Sequence, residues 1–167
     1  MAYTLEQLEA DIRSELLADS GPNGRQKICK HVSRALLDTE FVARHVTAEV
    51  CKPRKVFYQD PDLGFCICGH LYSNAITGNP HDHGSTWAIY GVAEGTTEMT
   101  DWRVVKNGTG AAPTLVEPAR SYTMRPGECH VYEVGAVHSP KISAMSKLIR
   151  VEGANLDHVS RSNIKAA

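Results

Sequence analysis

No long run of lysine and arginine occurs in the 167 residues, and 18 basic side chains nearly balance 19 acidic ones, giving a net charge of -1. Nucleic acid and anionic membrane surfaces are therefore not expected as partners. No apolar stretch approaches the length of a membrane span. The opening residues, MAYTLEQLEADIRSELLADSG, hold no basic leader followed by an apolar run, so no signal peptide is expected. The five cysteines are an odd number, and Cys66-x-Cys68 lacks the CxxC spacing of zinc and redox sites. Reduced thiols in a cytoplasmic protein are the reading, with Cys66 and Cys68 on one face of a strand.

The length suits one domain that buries its core without staples. Up to about residue 51 helical signals dominate. Thr4 and Gln7 have capping-box spacing, and Leu5, Leu8, Ile12 and Leu16 then recur at helical intervals. The stretch Ser20 to Gly24 breaks that helix, a second is expected over 25–37, and Thr39 is the expected cap of a short third. From residue 52 to the end, short alternating runs separated by turn signals predict an all-β sandwich or barrel. The expected strands cover 56–58, 64–72, 86–93, 98–105, 120–124, 128–134, 137–144 and 147–151. Asn107-Gly108 and Arg125-Pro126-Gly127 read as hairpin turns.

The chemistry concentrates in Pro80 to Gly95, PHDHGSTWAIYGVAEG. His81 and His83 sit one residue apart, which places both imidazoles on one face of an extended segment. Two imidazoles hold a divalent ion poorly, so a third partner is needed. His31, His45 and His158 fall in helical or terminal segments and read as surface or packing residues. His70, His130 and His138 fall in the β region.

The spacing resembles the cupin superfamily, whose motifs are G(X)5HXH(X)3–4E(X)6G and G(X)5PXG(X)2H(X)3N. With the four-residue gap, Ala88 takes the glutamate position and Gly95 the closing glycine. In the second motif Gly127, Gly135 and His138 are in register, while Glu133 and Ile142 replace its proline and asparagine; Ala75 replaces the first glycine of motif one. That register makes His138 the third ligand and leaves three neutral imidazoles with no carboxylate among them. The fold this implies is a cupin jelly roll, a double-stranded β-helix, with N-terminal helices.

Within that superfamily the stretch from Pro80 through Thr96-Thr97-Glu98-Met99-Thr100-Asp101-Trp102 is similar to the three-histidine thiol dioxygenases of the cysteine and mercaptopropionate dioxygenase type. The resemblance implies mononuclear Fe(II) on His81, His83 and His138, binding a small thiol acid and using O2 to make a sulfinate. The family's Ser-x-His-x-Tyr series is replaced by Leu148, Arg150 and Glu152, and its cross-linking cysteine by Ala88. The family arginine that takes the substrate carboxylate falls on Lys55, with Arg54 beside it. Arg150 and Glu152 share a face with Leu148. An inward face makes them a charged pair lining the pocket and Arg150 an oxyanion contact; an outward face makes them a solvated salt bridge.

The resulting expectation is an O2-dependent dioxygenase. His81, His83 and His138 hold the metal, Arg150 and Glu152 serve catalysis, and Lys55 and Arg150 bind the substrate's charge. Imidazole ligands also admit zinc, nickel and manganese in place of iron. The alternatives are a three-histidine cupin that cleaves C–C bonds of diketone-like substrates, and a non-catalytic metal-binding cupin. Expected partners are a small molecule and O2, with a homodimer possible through exposed strand edges.

Overall fold

The computed structural model describes residues 3–51 and 54–167. The change of character expected near residue 52 thus falls at a pair outside the described residues. Helix α1 spans Leu5–Ala18, capped by the expected box of Thr4 and Gln7. Helix α2 spans Pro22–Leu37, three residues longer at its start than expected, because Pro22 occupies its first turn and needs no N–H partner there. Helix α3 spans Thr39–His45. Its cap is Asp38 rather than Thr39: the Asp38 carboxylate accepts from the N–H groups of Glu40 and Phe41 at 3.0 Å each.

The strands are β1 Arg54–Gln59, β2 Cys66–Tyr72, β3 Ile76–Thr77, β4 Ala88–Glu94, β5 Thr97–Lys106, β6 Thr114–Met124, β7 Cys129–Tyr132, β8 His138–Ile142, β9 Ser146–Glu152 and β10 Ile164–Ala166. They form two five-stranded sheets, ordered β1-β2-β9-β4-β7 and β10-β6-β5-β8-β3. All pairings are antiparallel except β10 on β6. The β5–β6 connection is not the expected two-residue hairpin. The ladder ends at Lys106 and Leu115, and Gly108 N–H turns back to the Thr114 hydroxyl at 3.0 Å. Arg125-Pro126-Gly127 does form a tight turn, closed by Glu128 N–H on Arg125 C=O at 2.9 Å with Gly127 at φ +88°. It carries the chain from one sheet to the other rather than joining paired strands.

The central strands of the first sheet, β2, β9 and β4, are buried on both faces. Phe65, Ile67, Ile89, Ile149 and Val151 point toward the helices and pack with Leu8, Ile12, Ile28 and Val32. The alternate residues Tyr90, Val92, Tyr132 and Leu148 point between the sheets and pack with Met99, Met124 and Ile142 of the second. Period-two side-chain alternation thus divides β4 and β9 between two cores. The helices cover one face of the sheet, and the other face is free to build an interior site. No helix among the described residues is long and apolar enough to cross a membrane.

Candidate metal centre

His81 and His83 lie in the extended segment just before β4, and His138 opens β8. His81 and His138 form an isolated antiparallel bridge, each N–H donating to the other's carbonyl at 3.0 Å. That pairing presses residues 57 positions apart onto one spot. The three rings stand 4.7 to 5.6 Å apart between centroids. One ring nitrogen from each His lies within 4.8 Å of the others. His83 and His138 are 3% and 2% exposed, and His81 is half-buried.

The ring nitrogens show what the cluster can hold. Nδ1 of His81 contacts the Asn79 carbonyl at 2.8 Å, and Nδ1 of His138 the Ala136 carbonyl at 3.2 Å. Both contacts fix the tautomer that keeps Nε2 unprotonated and able to bind a metal. Both ring nitrogens of His83 are buried without a hydrogen-bond partner, a costly arrangement for polar atoms unless something occupies the cluster. Burial, then the neighbouring His138, holds His83 down to about 2; burial, then His81, holds His138 down to about 3. Neutral, converging, under-satisfied imidazoles fit a divalent ion of borderline softness. The Tyr132 ring stacks on His138 at 4.0 Å and backs it.

The inter-sheet face answers the question of orientation for β9. Glu152 is fully buried and lies directly across from Ala88 on β4 and Cys66 on β2. Arg150 lies across from Tyr90 and Cys68. Both therefore point inward, and no solvated salt bridge forms. Glu152 is engaged by Arg54 at 2.7 Å, by Arg150 at 3.4 Å and by the Leu156 N–H at 3.2 Å. Among the described residues, the group with the spacing to hold a metal is the three histidines, and Glu152 is not part of it. Arg150 is less well satisfied: its Nε is buried without a partner, and its guanidinium lies 5.7 Å over the Tyr90 ring. Its charge acts on all three imidazoles.

Lys55 is not brought to this place. It pairs with Gly69 and is exposed, while its neighbour Arg54 takes the inward position. A residue that sequence reasoning passes over arrives instead: Arg161, on the segment after β9. Its charge also acts on the three imidazoles. Desolvation, followed by the charge of Arg150, lowers its own pKa, although the residue keeps an exposed surface. Its only sequence signal is a single arginine in a polar tail.

The remaining histidines divide. His70 is buried on the inward face of β2, with Nε2 unpartnered and Nδ1 3.4 Å from the Tyr72 hydroxyl. His130 stacks on Tyr122 at 4.9 Å and lines a surface groove of about 260 Å³. His31 sits between Asp11 and Glu15, His45 between Phe41 and Phe57, and His158 is exposed. Cys66 and Cys68 share one face of β2, as expected, and that face is the inward one. Burial, then Glu152, pushes their thiols up to about 11 and about 12, so both are protonated near neutrality.

No protein-family model matches the chain, and no curated protein matches it. Among solved structures it is similar to KdgF from Halomonas sp., at 17% identity over 59% of this chain and 76% of that one, with a TM-score of 0.44. A cupin superfamily protein from Desulfitobacterium hafniense DCB-2 matches at 7% identity over 59% and 72%, TM-score 0.43. The DMSP lyase DddQ from Ruegeria pomeroyi DSS-3 matches at 11% identity over 60% and 43%, TM-score 0.43.

Proposed function

We propose that this chain is a cupin-type mononuclear metal enzyme, an iron(II) dioxygenase acting on a small anionic substrate, with a thiol acid the first candidate. The observation that carries the reading is the convergence of three neutral imidazoles with no carboxylate among them, on which the positive charges of Arg150 and Arg161 act. His81, His83 and His138 would hold the ion. When bound, iron supplies the redox chemistry that reduces O2 as the sulfur of a thiolate, R–S⁻, becomes a sulfinate, R–SO2⁻.

The protein's own residues do the rest. Arg150, largely withdrawn from solvent, and the more exposed Arg161 meet the substrate's carboxylate through charge-assisted hydrogen bonds. Glu152, held by Arg54, anchors Arg150 without drawing the substrate's charge away, since its carboxylate is already occupied. The apolar wall of Tyr90, Leu148 and Tyr132 keeps water out and strengthens every one of these contacts.

The test is oxygen uptake by protein loaded anaerobically with Fe(II). Cysteine, mercaptopropionate, cysteamine and an enolisable diketone are supplied in turn, with His138→Ala as control. Uptake with a thiol acid that disappears in the variant supports the reading. Uptake with the diketone and with no thiol replaces it by C–C cleavage on the same centre.

A further inference from the structure

The His81-Asp82-His83 segment holds a carboxylate that binds neither metal nor substrate in this account, yet is 5% exposed. Asp82 Oδ1 accepts from the Gly84 N–H and from the Ser162 N–H, both at 3.0 Å, and Oδ2 accepts from the Ser162 hydroxyl at 2.5 Å. Among the described residues its bonding runs within its own loop or to a segment 80 residues away. That segment, 159–163, lies directly against the loop: a Cβ on Gly84 would come within 2.2 Å of the Ser160 carbonyl, and Gly84 itself stands at φ +61°. Only glycine allows so close a backbone approach.

The other end of the tail is fastened to the inner charge network. Arg54 bonds Asp157 at 2.7 Å and Asn155 at 3.4 Å, and Glu152 accepts the Leu156 N–H. Arg161 therefore sits on a strap pinned at both ends, and Ser162, the residue after it, is bonded to the loop that carries two of the three imidazoles.

We propose that Asp82 and Ser162 are positioning residues, a latch that ties the C-terminal strap to the metal-ligand loop, so that metal binding and strap order are coupled. The coupling rests on the metal reading above and extends it to residues that touch no reacting atom. Its physical basis is reciprocity. If the latched loop binds the ion more tightly by some factor, the ion must favour the latched strap by the same factor. One charge-assisted hydrogen bond sets that scale at about 10-fold.

The experiment uses the full chain and zinc, a redox-silent probe of the same ligands, with Ser162→Ala, Ser162→Thr and Asp82→Asn. Amide exchange is followed over residues 79–85 and 159–167, and zinc affinity is measured by chelator competition. In the unaltered protein zinc slows exchange in both segments. Ser162→Ala weakens zinc binding by about 10-fold and reduces strap protection by a matching factor, Asp82→Asn does both at least as strongly, and Ser162→Thr restores both.

Zinc held with unchanged affinity by Ser162→Ala, or a strap whose exchange ignores zinc, overturns the latch while leaving the metal site intact. Failure of the unaltered protein to hold zinc overturns the metal reading instead. The latch is then judged in metal-free protein, where Ser162→Ala must loosen 79–85 together with the strap, and a loop that stays protected rejects it.

Discussion

Arg54 donates to the fully buried carboxylate of Glu152 across 2.7 Å, joining the edge strand β1 to the inner strand β9. This contact explains how a chain with arginine and glutamate on an inward face folds at all. Two cations and the Leu156 N–H surround one carboxylate, which meets its lone pairs and offsets its desolvation.

Removing one partner of a buried ion pair strands the other. Arg54→Met is expected to destabilise the protein by about 3 kcal/mol, read as a lowered urea midpoint with an unchanged slope. The double variant Arg54→Met, Glu152→Gln recovers only part of that loss, because the buried carboxylate is gone but Arg150 then lacks its counter-charge. A single variant that loses less than about 1 kcal/mol would mean the pair behaves like a surface one.

The metal-free protein should weaken on mild acidification. The unfolded chain protonates histidine near 6.5, whereas burial and mutual repulsion hold folded His83 at about 2 and folded His138 at about 3. The unfolded state therefore binds more protons below 6.5, and stability falls as the pH drops from there. Urea midpoints taken from pH 7.5 to 5 should decline in the unaltered protein and decline less in His83→Ala. A flat profile would contradict burial of neutral imidazoles.

Asp60 governs a separate acid limb. Its burial alone would raise its pKa, but the Leu63 N–H, Arg13 and the Asp62 N–H outweigh that and hold it at about 2. A carboxylate whose folded value is depressed contributes stability above its unfolded value of 3.8, and that contribution is lost as the pH falls through about 2. Asp60→Asn should lower stability at neutral pH and flatten the dependence between pH 4 and 2, measured by thermal melts.

Arg161→Gln separates substrate charge from metal binding. With one cation removed from beside the imidazoles, affinity for mercaptopropionate is expected to fall by about 10-fold, the worth of a hydrogen bond between charged groups. Affinity for cysteamine, which lacks the carboxylate, should hold. Equal losses for both would remove Arg161 from carboxylate recognition.

The sequence carries the local part of this picture and misses the long-range part. Alternation identifies β2, β4, β5 and β9 because their faces differ in what they pack against, and His-x-His marks its own geometry. The first half of β6 is hidden because Pro118 argues against a strand; the fold accommodates it opposite Trp102, where the β5–β6 register shifts. Strands β3 and β10 are two and three residues long and exist through their partners, β8 and β6, rather than through any pattern of their own. Whether Arg150 and Glu152 face in or out depends on which neighbours carry the counter-charges, and Arg54 lies 98 residues from Glu152. Arg161 is invisible for the same reason: its segment is held against the histidine loop by the bonds from Ser162 to Asp82, 80 residues away.

Metal stoichiometry decides whether His81, His83 and His138 form one metal centre. Protein loaded anaerobically with Fe(II), dialysed and analysed for metal should retain one ion per chain. His83→Ala, which removes the imidazole whose two nitrogens have no protein partner, should retain none while staying folded. Equal metal in the variant, or none in the unaltered protein, would mean that the three histidines do not hold an ion together.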